Sequence, residues 1–213
     1  MMAKLSENAL LTAANWAYEK ATTCSLPGIG SAQELATQYM QGSDNLEKQV
    51  DSLIRWQCSK TTFSGFITSL GGIVTLPIAI PADLSISFFH QMRMVSAISY
   101  MSGVREFSND KLQTICIGCL CGSVAVDIFR DLGIEVGEKM AMQMIKSISG
   151  ETIKQINKAV GFRLVTKFGS TGVINLGKAV PLFGGAVGGA FNYFTTSAVG
   201  KTAKKIFIPE KTN

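Results

Sequence analysis

The sequence predicts an all-α, single-domain protein with glycine- and proline-interrupted apolar helices at its centre and C-terminus. Three observations carry that prediction. Apolar residues recur at helical spacing almost throughout, no alternating strand pattern flanked by hairpin turns occurs, and two 22-residue stretches, 61–82 and 179–200, contain no charged residue. Each stretch is long enough to cross a hydrocarbon core as helix, yet both are broken by glycine and proline. With 46% hydrophobic and 16% charged residues over 213 positions, the chain has ample core material and little polar surface. Some of its apolar surface is therefore expected to be covered by a bilayer, an apolar ligand, a partner or a second copy.

Residues at about 6–23 carry Leu10, Ala13, Ala14, Ala17 and Ala21 on one helical face, with Trp16 and Tyr18 adding bulk, and Leu26-Pro27-Gly28-Ile29-Gly30 ends them. Ser31-Ala32-Gln33-Glu34 reads as a capping box opening a short helix to about Met40. After Gly42-Ser43-Asp44 the inward stripe is expected to be Leu46, Val50, Leu53, Ile54 and Trp56. Pro77 and Pro81 bracket an extended kink, and a helix then runs from Pro81 to about Ser102, stopped by Gly103. Further helices are expected over Lys111 to Leu132, from there to Ser149, over Glu151 to Phe168, and from Pro181 to about Ile206. In the last of these, Gly184, Gly185, Gly188 and Gly189 provide a close-packing or membrane face, as Gly71 and Gly72 with Pro77 and Pro81 do in the central stretch.

Charge is divided unevenly. Residues 1–138 hold 9 Lys/Arg against 13 Asp/Glu, whereas residues 139–213 hold 11 against 2. A basic C-terminal third suits an anionic membrane surface, with Lys201, Lys204 and Lys205 as headgroup contacts. Nucleic acid is not expected as a partner, because the lysines lie among apolar helical residues without a groove-reading or base-stacking motif. The first residues lead into an amphipathic segment rather than a signal peptide. Five cysteines, three of them in Cys116-Ile-Gly-Cys119-Leu-Cys121, fit a reducing compartment. The expected location is therefore cytoplasmic, peripherally associated with the inner membrane.

Taken in order, the blocks Trp16-Ala-Tyr18-Glu, Leu26-Pro27-Gly28-Ile29-Gly30-Ser31-Ala32-Gln33-Glu34-Leu35-Ala36, Pro81-Ala82-Asp83 with Gln91 and Arg93, and Val180-Pro181-Leu182-Phe183-Gly184-Gly185 resemble the EcsC family of bacterial proteins. The resemblance spans nearly the whole chain. It implies a helical fold and the company of a membrane transporter, since the founding member lies beside the genes of an ABC transporter, and it implies no particular reaction.

Chemical motifs are few. Gly172-Val-Ile-Asn-Leu-Gly177-Lys178-Ala179 spells most of a phosphate-binding loop, but Ala179 stands where the magnesium-binding hydroxyl belongs and no buried strand precedes it. The three clustered cysteines lack a looped knuckle and a fourth ligand, although Cys24 and Cys58 are available, so they read as small core residues and no metal or cofactor is expected. The polar set on the Pro81 helix is the main site candidate. Asp83, Ser87 and His90 fall at i, i+4 and i+7 on one face, with Gln91 beside them and Arg93 to the other side. Two turns separate Asp83 from His90 by about 10 Å, too far for a triad on one helix. The set therefore reads as a structural polar cluster or a ligand site, and a hydrolase built on Asp83, Ser87 and His90 would need a second helix. The function expected is a non-enzymatic membrane-associated binding or regulatory module, with a soluble carrier of a lipid or other apolar ligand as the alternative.

Overall fold

The computed structural model describes residues 5–23, 29–42, 44–62, 80–136, 142–168 and 184–208. Among these, nine α-helices and one 3-10 turn form a bundle without a strand: α1 (Glu7–Thr22), α2 (Ala32–Met40), α3 (Leu46–Thr62), α4 (Ala82–Met101), α5 (Asp110–Gly118), α6 (Val124–Asp131), α7 (Met142–Ser147), α8 (Gly150–Phe168) and α9 (Gly184–Phe207), with the 3-10 turn at Cys119–Cys121. Helix α4 is the axis of the bundle and packs against α1, α2, α3, α5 and α9. Its Phe88, Phe89, Met92, Met94, Val95, Ala97 and Ile98 are all buried, so it is apolar nearly all round, as a helix enclosed by others must be.

Local sequence sets the starts of the helices. Ser6 Oγ accepts the Ala9 amide at 3.1 Å to open α1. Ser31 Oγ accepts the Glu34 amide at 3.0 Å, the first half of the expected capping box. Asn109 Oδ1 accepts the Lys111 and Leu112 amides ahead of α5. Along α1 the buried Ala13, Ala14, Ala17 and Ala21 form a flat, small-residue face that lets α4 approach closely. Tyr18 is buried on the same side and donates to the Phe107 carbonyl at 2.9 Å, tying α1 to the segment after α4.

The fold differs from the sequence expectation along α3, after Gly118, and at residues 134–136, which the sequence places within a helix running to Ser149 and which are not helical. Val50, Leu53 and Ile54 do point inward, but Trp56 is 55% exposed. At 100° per residue it stands about 200° round the helix from Ile54, on the opposite face. The single helix expected over Lys111 to Leu132 is two helices. After Gly118 the chain tightens into the 3-10 turn and reverses at Gly122, whose φ of 69° and ψ of −146° are open to glycine and strained for any other residue. Gly118 also lets α6 close over α5, since a Cβ there would lie 2.4 Å from the Phe129 ring.

Helix directions follow from individual contacts. Asp51 pairs with Lys204 and Ile54 meets Gly200, so α3 and α9 are antiparallel; Gln91 meets Thr196 and Met94 meets Gly200, so α4 and α9 are parallel. Gly200, Ile54 and Met94 thus mark one level of the bundle. From that level Thr62 lies about 12 Å, Ala190 about 15 Å and Ala82 about 18 Å toward the same end, taking 1.5 Å per residue. Phe88, about 9 Å up, meets Phe168 edge-on at 5.3 Å, so α8 also finishes there. The end of α3, the start of α4, the first half of α9 and the end of α8 share one pole of the molecule. No helix among the described residues is long and apolar enough to cross a membrane.

Candidate functional site

The polar residues of α4 sit in the upper half of the bundle, where α3, α4 and α9 meet. Gln91 is fully buried, and its Nε2 donates to Ser87 Oγ at 3.3 Å and to Thr196 Oγ1 on α9 at 3.4 Å. Of the predicted set, the structure therefore joins Ser87 and Gln91 and adds Thr196. Arg93 points elsewhere: its Nε donates to the Gly30 carbonyl at 2.6 Å, holding the segment that leads into α2 against α4. Asp83 lies in the first turn of α4, and its side chain is outside the described residues, as are Gly71, Gly72, Pro77 and the 172–179 motif. Pro81 is the exposed residue immediately before α4, with φ −56° and ψ 141°.

His90 is the only histidine of the chain. The residue as a whole is half-buried, but its Nε2 is shut off from solvent. Burial, reinforced by the positive charges of Arg93 and Lys60, holds its pKa down to about 4. At neutral pH the ring is uncharged and a weak base, whereas a general base works best with a pKa near the operating pH. Nor are the buried thiols activated. Burial drives Cys116 and Cys119 well above the ordinary thiol range and Cys121 up to about 12, the reverse of the depressed pKa of a nucleophilic cysteine. Cys119 Sγ donates to the Ile115 carbonyl, and Cys58 is buried on α3. No group of three or more potential metal ligands occurs among the described residues.

Two further buried polar atoms lie at this level. Gln91 Oε1 and, on α3, Gln57 Nε2 have no hydrogen-bond partner among the described residues. Gln57 is three residues after Ile54 and Gln91 three before Met94, which places them level across the α3–α4 contact. Sequence reading passed over Gln57 and Thr196, although two glutamines on the inward faces of apolar helices are a signal in themselves, because a buried amide needs partners.

The lysines of α9 fall in the lower half of the helix. Lys204 Nζ bonds both Asp51 carboxylate oxygens at 2.8 and 2.9 Å, while Lys201 and Lys205 are exposed. Gly184, Gly185, Gly188 and Gly189 form the first turns of α9, and their surroundings lie outside the described residues. A close helix contact occurs at Gly200, where a Cβ would stand 2.9 Å from Ile54 Cγ1 and 3.1 Å from Met94 Cε. At the other pole an open groove of about 530 Å3 runs between α1 and the segment after α4, floored by Trp16, Tyr18 and Phe107.

Among the described residues these features define an all-α bundle whose core carries a layer of uncharged polar side chains. Residues 2–208 match the model of the EcsC protein family, and the chain belongs to that family. No curated protein and no solved structure matches it.

Proposed function

We propose that this protein is a binding or regulatory module that associates peripherally with an anionic membrane surface on its cytoplasmic side and performs no catalysis of its own. The observation that carries this reading is the convergence of charge-free chain at one pole. The stretch 61–82 begins in the last residues of α3 and ends at the start of α4, and most of the stretch 179–200 forms the first part of α9, so described residues of both stretches meet at the same pole. The second half of that stretch is used differently: Thr195, Thr196, Val199 and Gly200 are buried in the bundle. The excess of lysine and arginine after residue 138 supplies long-range attraction to anionic lipid. Separating expressed protein into soluble and membrane fractions, followed by a high-salt wash, tests the reading. Recovery on membranes with release by salt supports it, and recovery as a soluble monomer in low salt removes it.

A second reading, a soluble carrier of an apolar ligand, is favoured by one observation. Gln57 Nε2 and Gln91 Oε1 are buried at one level of the core without partners among the described residues, and the polar head of a bound molecule would satisfy both. Native mass spectrometry of the purified protein distinguishes this case by a retained small-molecule mass.

A further inference from the structure

The groove between α1 and the segment after α4 has two walls tied together by hydrogen bonds. Thr12, Trp16, Glu19 and Thr23 follow one another at steps of three and four residues, so they form a single stripe along α1. Phe107 and Ser108 after α4, with Gln113 in the first turn of α5, form the other wall. Tyr18 Oη donates to the Phe107 carbonyl at 2.9 Å, and Gln113 Nε2 donates to Asn15 Oδ1 at 2.8 Å. The walls are thereby fixed before anything binds, which lowers the cost of binding. The second bond also leaves Asn15 Nδ2 as a donor and Gln113 Oε1 as an acceptor for a ligand. The volume of about 530 Å3 falls within the range of small-molecule sites, about 300–1,000 Å3.

Charge in the groove has one sign. Among the described residues no lysine or arginine lines it, and Glu19 is its one charged side chain. Trp16 stands three residues before Glu19 on the same helix face, so ring and carboxylate are neighbours. Trp16 Nε1 is shut off from solvent, so the half-buried indole offers the groove its ring carbons and not its donor. Phe107, also half-buried, adds a second ring from the other wall. Helix α5 begins beside the groove, but Asn109 Oδ1 already takes its Lys111 and Leu112 amides and Asp110 adds a carboxylate there, an arrangement that disfavours an anion. Of the neighbouring cations, Lys20 Nζ reaches the exposed Glu19 only at 3.9 Å, a weak pair. Arg105 lies over the Tyr100 ring and donates to the Tyr100 and Val104 carbonyls. The face of an aromatic ring is electron-rich, and beside a carboxylate it attracts an ammonium group clothed in carbon. We infer that the groove binds a small organic ammonium ion, its charged head between Trp16, Phe107 and Glu19 and its remainder hydrogen-bonded by the Asn15 and Gln113 amides. The inference goes beyond the membrane reading: the groove lies at the pole opposite the charge-free chain, so the ion is taken from solution and not from a lipid headgroup.

Choline is the probe, and the alcohol in which a tert-butyl group replaces its trimethylammonium group is the neutral control of the same shape. Each is titrated into the full chain and followed by broadening of its methyl resonance in NMR. Choline is expected to bind saturably, and the alcohol about tenfold more weakly or less. Trp16→Leu is expected to weaken choline binding about tenfold and Glu19→Gln about fivefold. Trp56→Leu, which removes the other tryptophan, is expected to leave it unchanged. Circular dichroism checks folding, and Glu19, being exposed, keeps the test open should Trp16→Leu unfold. Equal binding of choline and the alcohol, no saturable binding of choline, or binding indifferent to the Glu19 and Trp16 substitutions overturns the inference. Displacement of choline by phosphatidylcholine vesicles also overturns it, by making lipid the source of the ammonium group.

Discussion

Acid should destabilise this protein through its single histidine, by an amount that the structure sets. The His90 pKa is lowered to about 4 in the folded chain, against 6.5 for the free side chain. Below pH 6.5 the unfolded chain takes up a proton that the folded one refuses, so the unfolded state binds more protons and stability falls as pH falls. The contribution is fully present above pH 6.5 and is lost progressively down to about pH 4, where the folded form also titrates. The linkage relation makes the loss about 2 kcal/mol by pH 5, a large fraction of a typical domain's stability. In urea this corresponds to a midpoint lower by about 1 M, for a slope of about 2 kcal/mol per molar. Carboxylates titrate in the same range, so the informative quantity is the difference between wild type and His90→Asn, each measured at pH 8 and pH 5. The wild type should lose about 2 kcal/mol more than the variant over that interval. Equal losses in the two proteins would mean that His90 titrates as a solvated side chain and that its environment has been misjudged.

Two other outcomes follow from packing. Gly200→Leu forces a side chain into the contact between α9, Ile54 and Met94, where even a Cβ would be too close, and should lower stability by about 3 kcal/mol in chemical denaturation; an unchanged midpoint would show that the helices part freely. In a Cys24→Ser background, the thiols of Cys58, Cys116, Cys119 and Cys121 should resist an aromatic disulfide reagent at pH 8 until the protein is unfolded, since all four are buried and their thiolates are disfavoured. Rapid labelling of native protein would contradict that burial.

Local signals in the chain foretold much of the fold. Ser31 with Glu34, the alanine face of α1 and the Gly103 stop act over a few residues, and each appears where its chemistry requires. What stayed hidden depends on distant partners. The break at Gly122 follows from a turn that brings Phe129 over Gly118, and nothing in the charge-free run 112–126 announces it. Arg93 is legible as a cation in an apolar helix that needs a partner, but the Gly30 carbonyl lies 63 residues away in sequence. The polar layer was half legible: Ser87 and Gln91 share a helix face, whereas Thr196 and Gln57 join them only through packing of α9 and α3 on α4. Lys204 reads as a free basic residue in sequence and proves to be engaged by Asp51.

Flotation of the wild-type protein through a density gradient, with vesicles that differ only in anionic lipid content, tests the central claim most directly. The account predicts that the protein rises with anionic vesicles at low salt, rises less at high salt, and rises weakly with neutral vesicles. Protein that stays at the bottom of the gradient as a monomer under all of these conditions would contradict it.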